Sequence, residues 1–435
     1  MSALLWVLLF VVLSIPVAAR IRKTRPNVFY MWPWDGLVRM ITRLSTVFDW
    51  SLYGDVALTL VVGPLLAYKF IRHRKESLAF FFIYVSFLFL LLPAIGGGTS
   101  LIGPSLANLL VVTLLGFGGY ALLLVGSSAL AIVHGYLSGV RPSPGIAPAL
   151  PGVSVGGFQI PLVEGIVALI VALFVHEGAH GVVSLRERIP VESGGVITVG
   201  LLPIGAYVEP KESVFRRAPV LSRVRVLSAG PVANLLVFAL FALLLVASLP
   251  LADYLTRYDC SHSMGVRILD VPETLEVGGK YIKSSAHGVL QPGDVIVEIN
   301  GVEVNCVNQF MDMLLPLQEE EANVSLPLLV LRGGEELNVT VTTNSGYLGI
   351  KGVENAYETP LPFWYHALSF LLSLLTWVAF LNFMIGLVNM LPLPPLDGGF
   401  IYRDVLGSLG AERLYRAVLW LTVTILVINI LPWFV

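Results

Sequence analysis

Val171-Ala172-Leu173-Phe174-Val175-His176-Glu177-Gly178-Ala179-His180-Gly181-Val182-Val183 closes an apolar run that begins at Pro161. Two histidines four apart fall on one face of a helix, so both can reach a single metal ion. The carboxylate directly after the first can hold and deprotonate a water on that ion. The run is about 20 residues long, enough to cross a bilayer as a helix. Ionisable groups inside such a span are costly and mark function by default. The plain reading, core histidines and a glutamate in this spacing by chance, is a poor one in a chain with 7 histidines in 435 residues.

Working outward, composition decides the class. Hydrophobic residues make up 56% of the chain and charged ones 13%, against about 25% charged in soluble domains. Most of the chain therefore sits in lipid, as a polytopic α-helical membrane protein with about 6 to 8 transmembrane helices. The net charge of -2 offers no electrostatic footprint for nucleic acid, which is not expected as a partner.

Upstream of the motif, the apolar Ser2 to Ala19 runs directly into Arg20-Ile21-Arg22-Lys23 and reads as a retained span with its amino terminus outside. Asn27 to Trp50 mixes aromatic and charged residues and reads as an interfacial or loop segment. Asp55 to Tyr68 is apolar but short, Ser77 to Ile95 and Leu106 to Val133 are spans, and Leu137 to Phe158 is a Pro, Gly and Ser-rich loop. The basic clusters at Arg20 and Lys69 both ask for the cytoplasm, and the amino-terminal topology stays open.

Downstream, Arg186, Arg188, Lys211, Arg216, Arg217, Arg223 and Arg225 mark a cytoplasmic loop, with a hairpin pattern from Gly194 to Val208. Leu227 to Leu249, Leu361 to Leu391 and Leu414 to Val435 are further spans, while Asp253 to Glu358 is polar and strand-like. The expected domains are a membrane extension over 1–160, the first half of a membrane core over 161–252, an extracytoplasmic insert over 253–358, and the second half of the core over 359–435. The histidine motif then lies near the cytoplasmic side of a multi-pass protein, in the cell membrane.

A catalytic zinc needs three protein ligands and an open position, so a third ligand is expected elsewhere at membrane depth. Asn389-Met390-Leu391-Pro392-Leu393-Pro394-Pro395-Leu396-Asp397-Gly398-Gly399 supplies one carboxylate, Asp397, among prolines that release backbone groups. A metal ligand and a simple capping aspartate are both open readings. In Gly230-Pro231-Val232-Ala233-Asn234 the amide of Asn234 binds either a substrate backbone or a neighbouring helix. Gly178, Ala179 and Gly181 are small enough to let helices approach closely.

Taken jointly, His176-Glu177-x-x-His180, Leu202-Pro203-Ile204-Gly205-Ala206-Tyr207-Val208, Ala229-Gly230-Pro231-Val232-Ala233-Asn234 and Asn389-x-x-Pro392 with Leu396-Asp397-Gly398 resemble the site-2 protease family of intramembrane metalloproteases, over about Pro161 to Gly399. The resemblance implies one Zn2+ per chain on His176, His180 and Asp397, with Glu177 as the catalytic base. It implies Asn389 beside the substrate backbone and an edge from Gly205 through Tyr207 to Val208 at which an unwound substrate pairs. The implied substrate is a transmembrane protein in the bilayer, cut within or next to its membrane helix in regulated intramembrane proteolysis.

Ser285 to Gly301 resembles the turn, strand and Asn-Gly hairpin of a PDZ domain, so the insert is expected to be a small α/β PDZ-like module. It would take a peptide or a carboxy-terminus as partner, or act as a size filter. Cys260 and Cys306 both fall in this polar stretch, which could hold a disulfide if it faces an oxidising compartment, and two free thiols are at least as well supported. The competing function is a non-proteolytic membrane receptor or chaperone that uses the insert and keeps the metal for structure. A closed structural zinc site needs four protein ligands, and three are found at matching depth, which favours the enzyme.

Overall fold

Long apolar runs can satisfy their backbone in lipid only by coiling into helices, and that is how most of this chain is built. The computed structural model describes residues 3–23, 25, 27–96, 106–139, 141–147, 150–155, 158–277 and 280–434. They form two units, one from residues 1–134, 144–247 and 372–435, the other from residues 135–143 and 248–371.

The first unit opens with α1 (Ala3–Arg22), strand β1 (Phe29–Pro33), α2 (Asp35–Val47), α3 (Trp50–Val62), the single turn α4 (Pro64–Ala67), α5 (Arg74–Gly96) and α6 (Leu106–Leu137). Between α3 and α4 the chain turns at Gly63, and α6 kinks at Gly116. Both have positive φ (81° and 69°), and each backbone fills the space a Cβ on the other would need. A hairpin of β2 (Ser154–Val155) and β3 (Phe158–Gln159) precedes α7 (Leu162–Arg186), the helix of the histidine motif.

After α7 come β4 (Val191–Val199) and β5 (Leu202–Pro210), then the short α8 (Glu212–Phe215) and α9 (Val220–Ala247). The hairpin read from Gly194 to Val208 is thus longer at both ends. It is also not alone, because β1 pairs antiparallel with β4, Tyr30 opposite Thr198, in a sheet of order β1-β4-β5. The segment read as interfacial or loop therefore supplies a strand to a partner about 165 residues away, a pairing that local pattern cannot show. Helix α9 starts before the span read at Leu227. Arg223 and Arg225, counted as loop charges in the sequence, lie inside it, and Arg225 is 1% exposed.

The second unit begins with α10 (Leu249–His262) and β6 (Ser263–Ile268), then β7 (Thr274–Val277) paired with β8 (Lys280–Lys283), β9 (Val295–Ile299), β10 (Val302–Glu303) and α11 (Val307–Glu319). Strands β11 (Ser325–Arg332), β12 (Glu335–Thr342) and β13 (Val353–Tyr357) complete it. The main sheet runs β12-β11-β9-β6-β13, with β10 folded back on β9. Alternate residues Leu326, Leu328 and Val330 are buried along β11, and with Val266, Ile268, Ile296, Phe310 and Leu314 they make the core of this unit. Asn300 and Gly301 both have positive φ (54° and 76°), as the tight turn between β9 and β10 requires. Cys260 and Cys306 form a disulfide, Cα to Cα 4.9 Å, joining the last turn of α10 to the start of α11.

The chain closes with α12 (Phe363–Asn389), α13 (Asp397–Ser408) and α14 (Glu412–Ile430). Among the described residues, five helices are long and apolar enough to cross a membrane, namely α6, α7, α9, α12 and α14. Buried side chains of α3, α5, α6, α9, α12 and α13 share one apolar cluster, in which Val232, Leu235, Leu387 and Ile401 are almost wholly enclosed. The histidine motif and the Asn389 to Gly399 loop are held by these helices.

Candidate metal centre

Helix α7 presents His176 and His180 from successive turns, with their rings 4.7 Å apart. Asp397 is the first residue of α13, where the prolines before it end one helix and a new one starts. Gly398 and Gly399 let that loop fold tightly, since a Cβ on either would lie 2.2 to 2.3 Å from the backbone of Met390 or Pro394. Arg223 on α9 donates to Asp404 at 2.7 Å and ties α13 to α9.

These elements bring three donor atoms together. His176 Nε2 lies 3.1 Å from His180 Nε2 and 3.1 Å from Asp397 Oδ2, and His180 Nε2 lies 3.3 Å from the same oxygen. Two atoms bound to one zinc at about 2.0 Å, at the tetrahedral angle, stand about 3.3 Å apart. The triangle therefore has the size that three ligands of one ion require. The three side chains are 7%, 11% and 16% exposed. Among the described residues this is the one group of three or more histidine, cysteine or acidic side chains close enough to share an ion.

The far sides of the rings agree. His180 Nδ1 faces the Val226 carbonyl at 2.7 Å. A carbonyl only accepts, so Nδ1 carries the proton and Nε2 turns a bare lone pair to the centre. His176 Nδ1 faces the Asn234 amide at 3.4 Å, and Asn234 Oδ1 is otherwise buried without a hydrogen-bond partner. The two ends of an amide are told apart by their partners. With the oxygen toward Nδ1–H both groups are satisfied, and His176 Nε2 is bare too. Two lone pairs and a carboxylate oxygen converging in a mostly buried place call for a cation. Gly230 leaves the room for it, because a Cβ there would lie 2.4 Å from His180 Nε2 and 2.8 Å from His176 Nε2. The residues fit a tetrahedral ion with one position open.

Glu177 stands beside the triangle, and its Oε2 accepts from the Val208 N–H of β5 at 3.2 Å. That N–H points away from β4, and the outer edge of β5 is unpaired among the described strands. A cavity of about 440 Å³ opens on His176, Glu177, His180 and Asp397, with Val208, Phe215, Leu227 and Asn389 in its wall. Gly205 and Tyr207 lie buried in β5 outside that wall, opposite Ile197 and Gly195 of β4, with Gly205 packed on Leu173 of α7. Asn389 lines the cavity with its Nδ2 donating to Ile385 in its own helix. Asn234 is wholly buried against His176. Gly181 packs on Val208 and Ile41, as a small residue should, whereas Gly178 has open space above it.

Sequence reasoning missed three contributors, the Val226 carbonyl, the Val208 N–H and the α3 contacts to α9. Backbone groups carry no sequence signal. The close approach at Gly230 had one, since its glycine stands in a quoted motif.

Comparison with known proteins bears on the same residues. Over 268 residues, 61% of this chain and 63% of the relative, the sequence is 32% identical to an uncharacterized protein of Methanocaldococcus jannaschii. Over 202 residues, 45% of this chain and 36% of the relative, it is 27% identical to a membrane-bound transcription factor site-2 protease homolog of Arabidopsis thaliana. The chain thus spans under two thirds of the length of either relative. The model of Peptidase family M50 matches residues 164–431, a segment that contains the three donors, Glu177, both strands of the hairpin and Asn389. A match over more than half the chain, carrying every group that meets at the donor triangle, makes this protein a member of Peptidase family M50, a family of membrane metallopeptidases.

Proposed function

We propose that this protein is a zinc endopeptidase of the site-2 protease type, which hydrolyses a peptide bond within or next to a transmembrane helix of a membrane-protein substrate. The observation that carries the reading is the donor triangle with Glu177 at its side, inside a cavity that also touches an open strand edge. His176, His180 and Asp397 would hold the ion. Zinc in that place supplies a Lewis acid that brings the pKa of a water to about 7.

The chain's own groups do the rest. Glu177 takes a proton from water and later delivers it to the departing amine. A helical substrate hides its carbonyls in hydrogen bonds to its own turns, so it must be unwound. The free edge of β5 pairs with the unwound segment as an added strand, with Gly205 and Tyr207 shaping that edge from within the sheet. Asn389, in the cavity wall, hydrogen-bonds the exposed backbone. For Asn234 we propose orientation of His176 rather than contact with substrate, because its amide is enclosed.

We further propose that α1 and α5, apolar over most of their 20 and 23 residues, also lie in the membrane, which brings the embedded helices within the expected range. The metal centre then lies near the cytoplasmic side. The second unit is proposed as an extracytoplasmic PDZ-like module that takes a peptide or screens substrates by size. Its six-stranded sheet packed on α11, and its Asn300-Gly301 turn, support that reading.

Glu177→Gln tests the function. The amide cannot accept the proton, so cleavage of tagged single-span proteins should fall by about 100-fold or more while zinc content stays at one per chain. A variant that cuts at the wild-type rate removes Glu177 from the role of base.

A further inference from the structure

The residues before 160 lie outside the matched segment, yet α3 reaches α9 on both sides of the carbonyl that holds His180. Tyr53 donates its hydroxyl to the Ala229 carbonyl at 2.7 Å. Asp55, wholly buried, accepts at Oδ1 from Arg225 Nε and Nη2 at 2.8 and 2.7 Å. Arg225 Nη1 donates to Glu187, the residue just past α7, at 2.8 Å. Asp55 Oδ2 accepts the backbone N–H groups of Arg72 and His73 at 2.9 Å and faces His73 Nδ1. Val226, whose carbonyl meets His180 Nδ1, stands next to Arg225 and three residues before Ala229.

Such a network is an uneconomical way to join helices, because desolvating the charges offsets most of what the pairing returns. Its advantage is direction. Apolar faces pack well but slide and rotate, and lipid gives little reason to prefer one apolar neighbour to another. A slide of α9 by about 1 Å would carry the 2.7 Å bond from His180 past the distance at which a hydrogen bond is lost. A forked guanidinium on one side of Val226 and a hydroxyl on the other prevent that movement.

We infer that Tyr53 and Asp55 are positioning residues of the metal centre. Through Ala229 and Arg225 they set the depth and rotation of α9, and so the tautomer and aim of the His180 ring. The inference rests on the reading of His176, His180 and Asp397 as metal donors. It gives the amino-terminal extension a part in the chemistry, although no atom of the extension is a donor.

The test uses the purified full chain with Tyr53→Phe, Asp55→Asn and, as a control, Asn429→Ala. Asn429 on α14 donates its Nδ2 to the Val125 carbonyl of α6 at 2.9 Å, joining two helices that carry no metal donor. Zinc affinity is measured by chelator competition, and geometry by the absorption bands of the cobalt-substituted protein. Losing support around a metal ligand costs about 10 to 100-fold in affinity. Asp55→Asn should fall in that range, and Tyr53→Phe should lose about threefold to tenfold. Both should shift the cobalt bands and lower kcat with KM unchanged, and Asn429→Ala should stay within about twofold of wild type. Wild-type affinity in both α3 variants overturns the inference, as does an Asn429→Ala loss equal to that of Tyr53→Phe, which would mean general loosening of the helices. Should Asp55→Asn fail to fold, Tyr53→Phe against Asn429→Ala decides alone. A wild-type chain that binds no zinc overturns the functional reading and this inference with it, whereas zinc held equally by wild type and variants overturns the inference alone.

Discussion

Two of the arginine–aspartate pairs among the described residues sit in different surroundings. In the first unit Arg225 and Asp55 are 1% and 0% exposed, and among the described residues Arg225 is the largest wholly buried side chain. In the second unit Arg332 donates to both oxygens of Asp294 at 2.8 and 2.7 Å, and while the aspartate is 1% exposed the arginine is 31% exposed, at the margin of an apolar core. The contrast teaches what holds each unit. In water, apolar burial drives the fold and a marginal ion pair adds little. In lipid, an apolar surface is nearly as well placed against a tail as against a helix, so the rare polar groups decide which helices meet and at what depth.

The sharpest way to break the contrast is Arg225→Ala. It leaves Asp55 and Glu187 buried without their cation, and should lower stability in detergent unfolding by about 3 to 5 kcal/mol. A cost below about 1 kcal/mol would mean that apolar packing alone sets the first unit. The counterpart in the second unit is its covalent tie. Cys260→Ser opens a bridge between residues 46 apart, worth about 4 kcal/mol by chain entropy. Proteolysis should then attack residues 248–371 while zinc content is unchanged, and zinc loss in this variant would show the units to be coupled.

Gly230→Ala adds one methyl group among the donors without touching a charge. It should weaken zinc binding by about 100-fold, read by chelator competition, with little change in helix content. Retained affinity would mean that α9 gives way and is not the rigid frame described above. The smallest effect is expected at the marginal fork. Burial of Asp294 works against its charge, but the Arg332 hydrogen bond, the Gln291 amide and the Arg332 charge together hold its pKa below the ordinary 3.8. A depressed carboxylate pKa adds stability that is complete above the unfolded value and is lost as pH falls through the lower folded one. Arg332→Gln should therefore move the acid unfolding of the second unit to slightly higher pH and change nothing at pH 7 in the metal centre. An unchanged acid limb would show the fork to be idle.

Legibility in the sequence followed the same division. In the second unit the pattern that drives folding is also the pattern that is printed, since Leu326, Leu328 and Val330 alternate and Asn300-Gly301 names its own turn. In the first unit the five long apolar helices were plain from composition, but Arg223 and Arg225 were indistinguishable from loop charges. A charge that ends a span and a charge buried inside one differ only in whether a partner waits, and Asp55 waits about 170 residues away. Strand β1 was hidden for a similar reason, because Phe29 to Pro33 pairs with β4 and with nothing near it in the chain.

What the amino-acid sequence determined by itself is the chemistry on offer. Helical spacing alone puts His176 and His180 on one face with Glu177 beside them, while Asp397 stood open between metal ligand and capping residue until the family resemblance made it the third donor. What only the tertiary structure decided is where those groups point. The triangle of 3.1 to 3.3 Å, the Val226 carbonyl behind His180, the Val208 N–H on Glu177 and the close approach of the histidines to Gly230 all depend on how α9 is set between α3, α7 and α13. Backbone carbonyls and amides are the same at every residue, so their direction is a property of packing, and in this protein that packing is fixed by ion pairs between residues far apart in the chain.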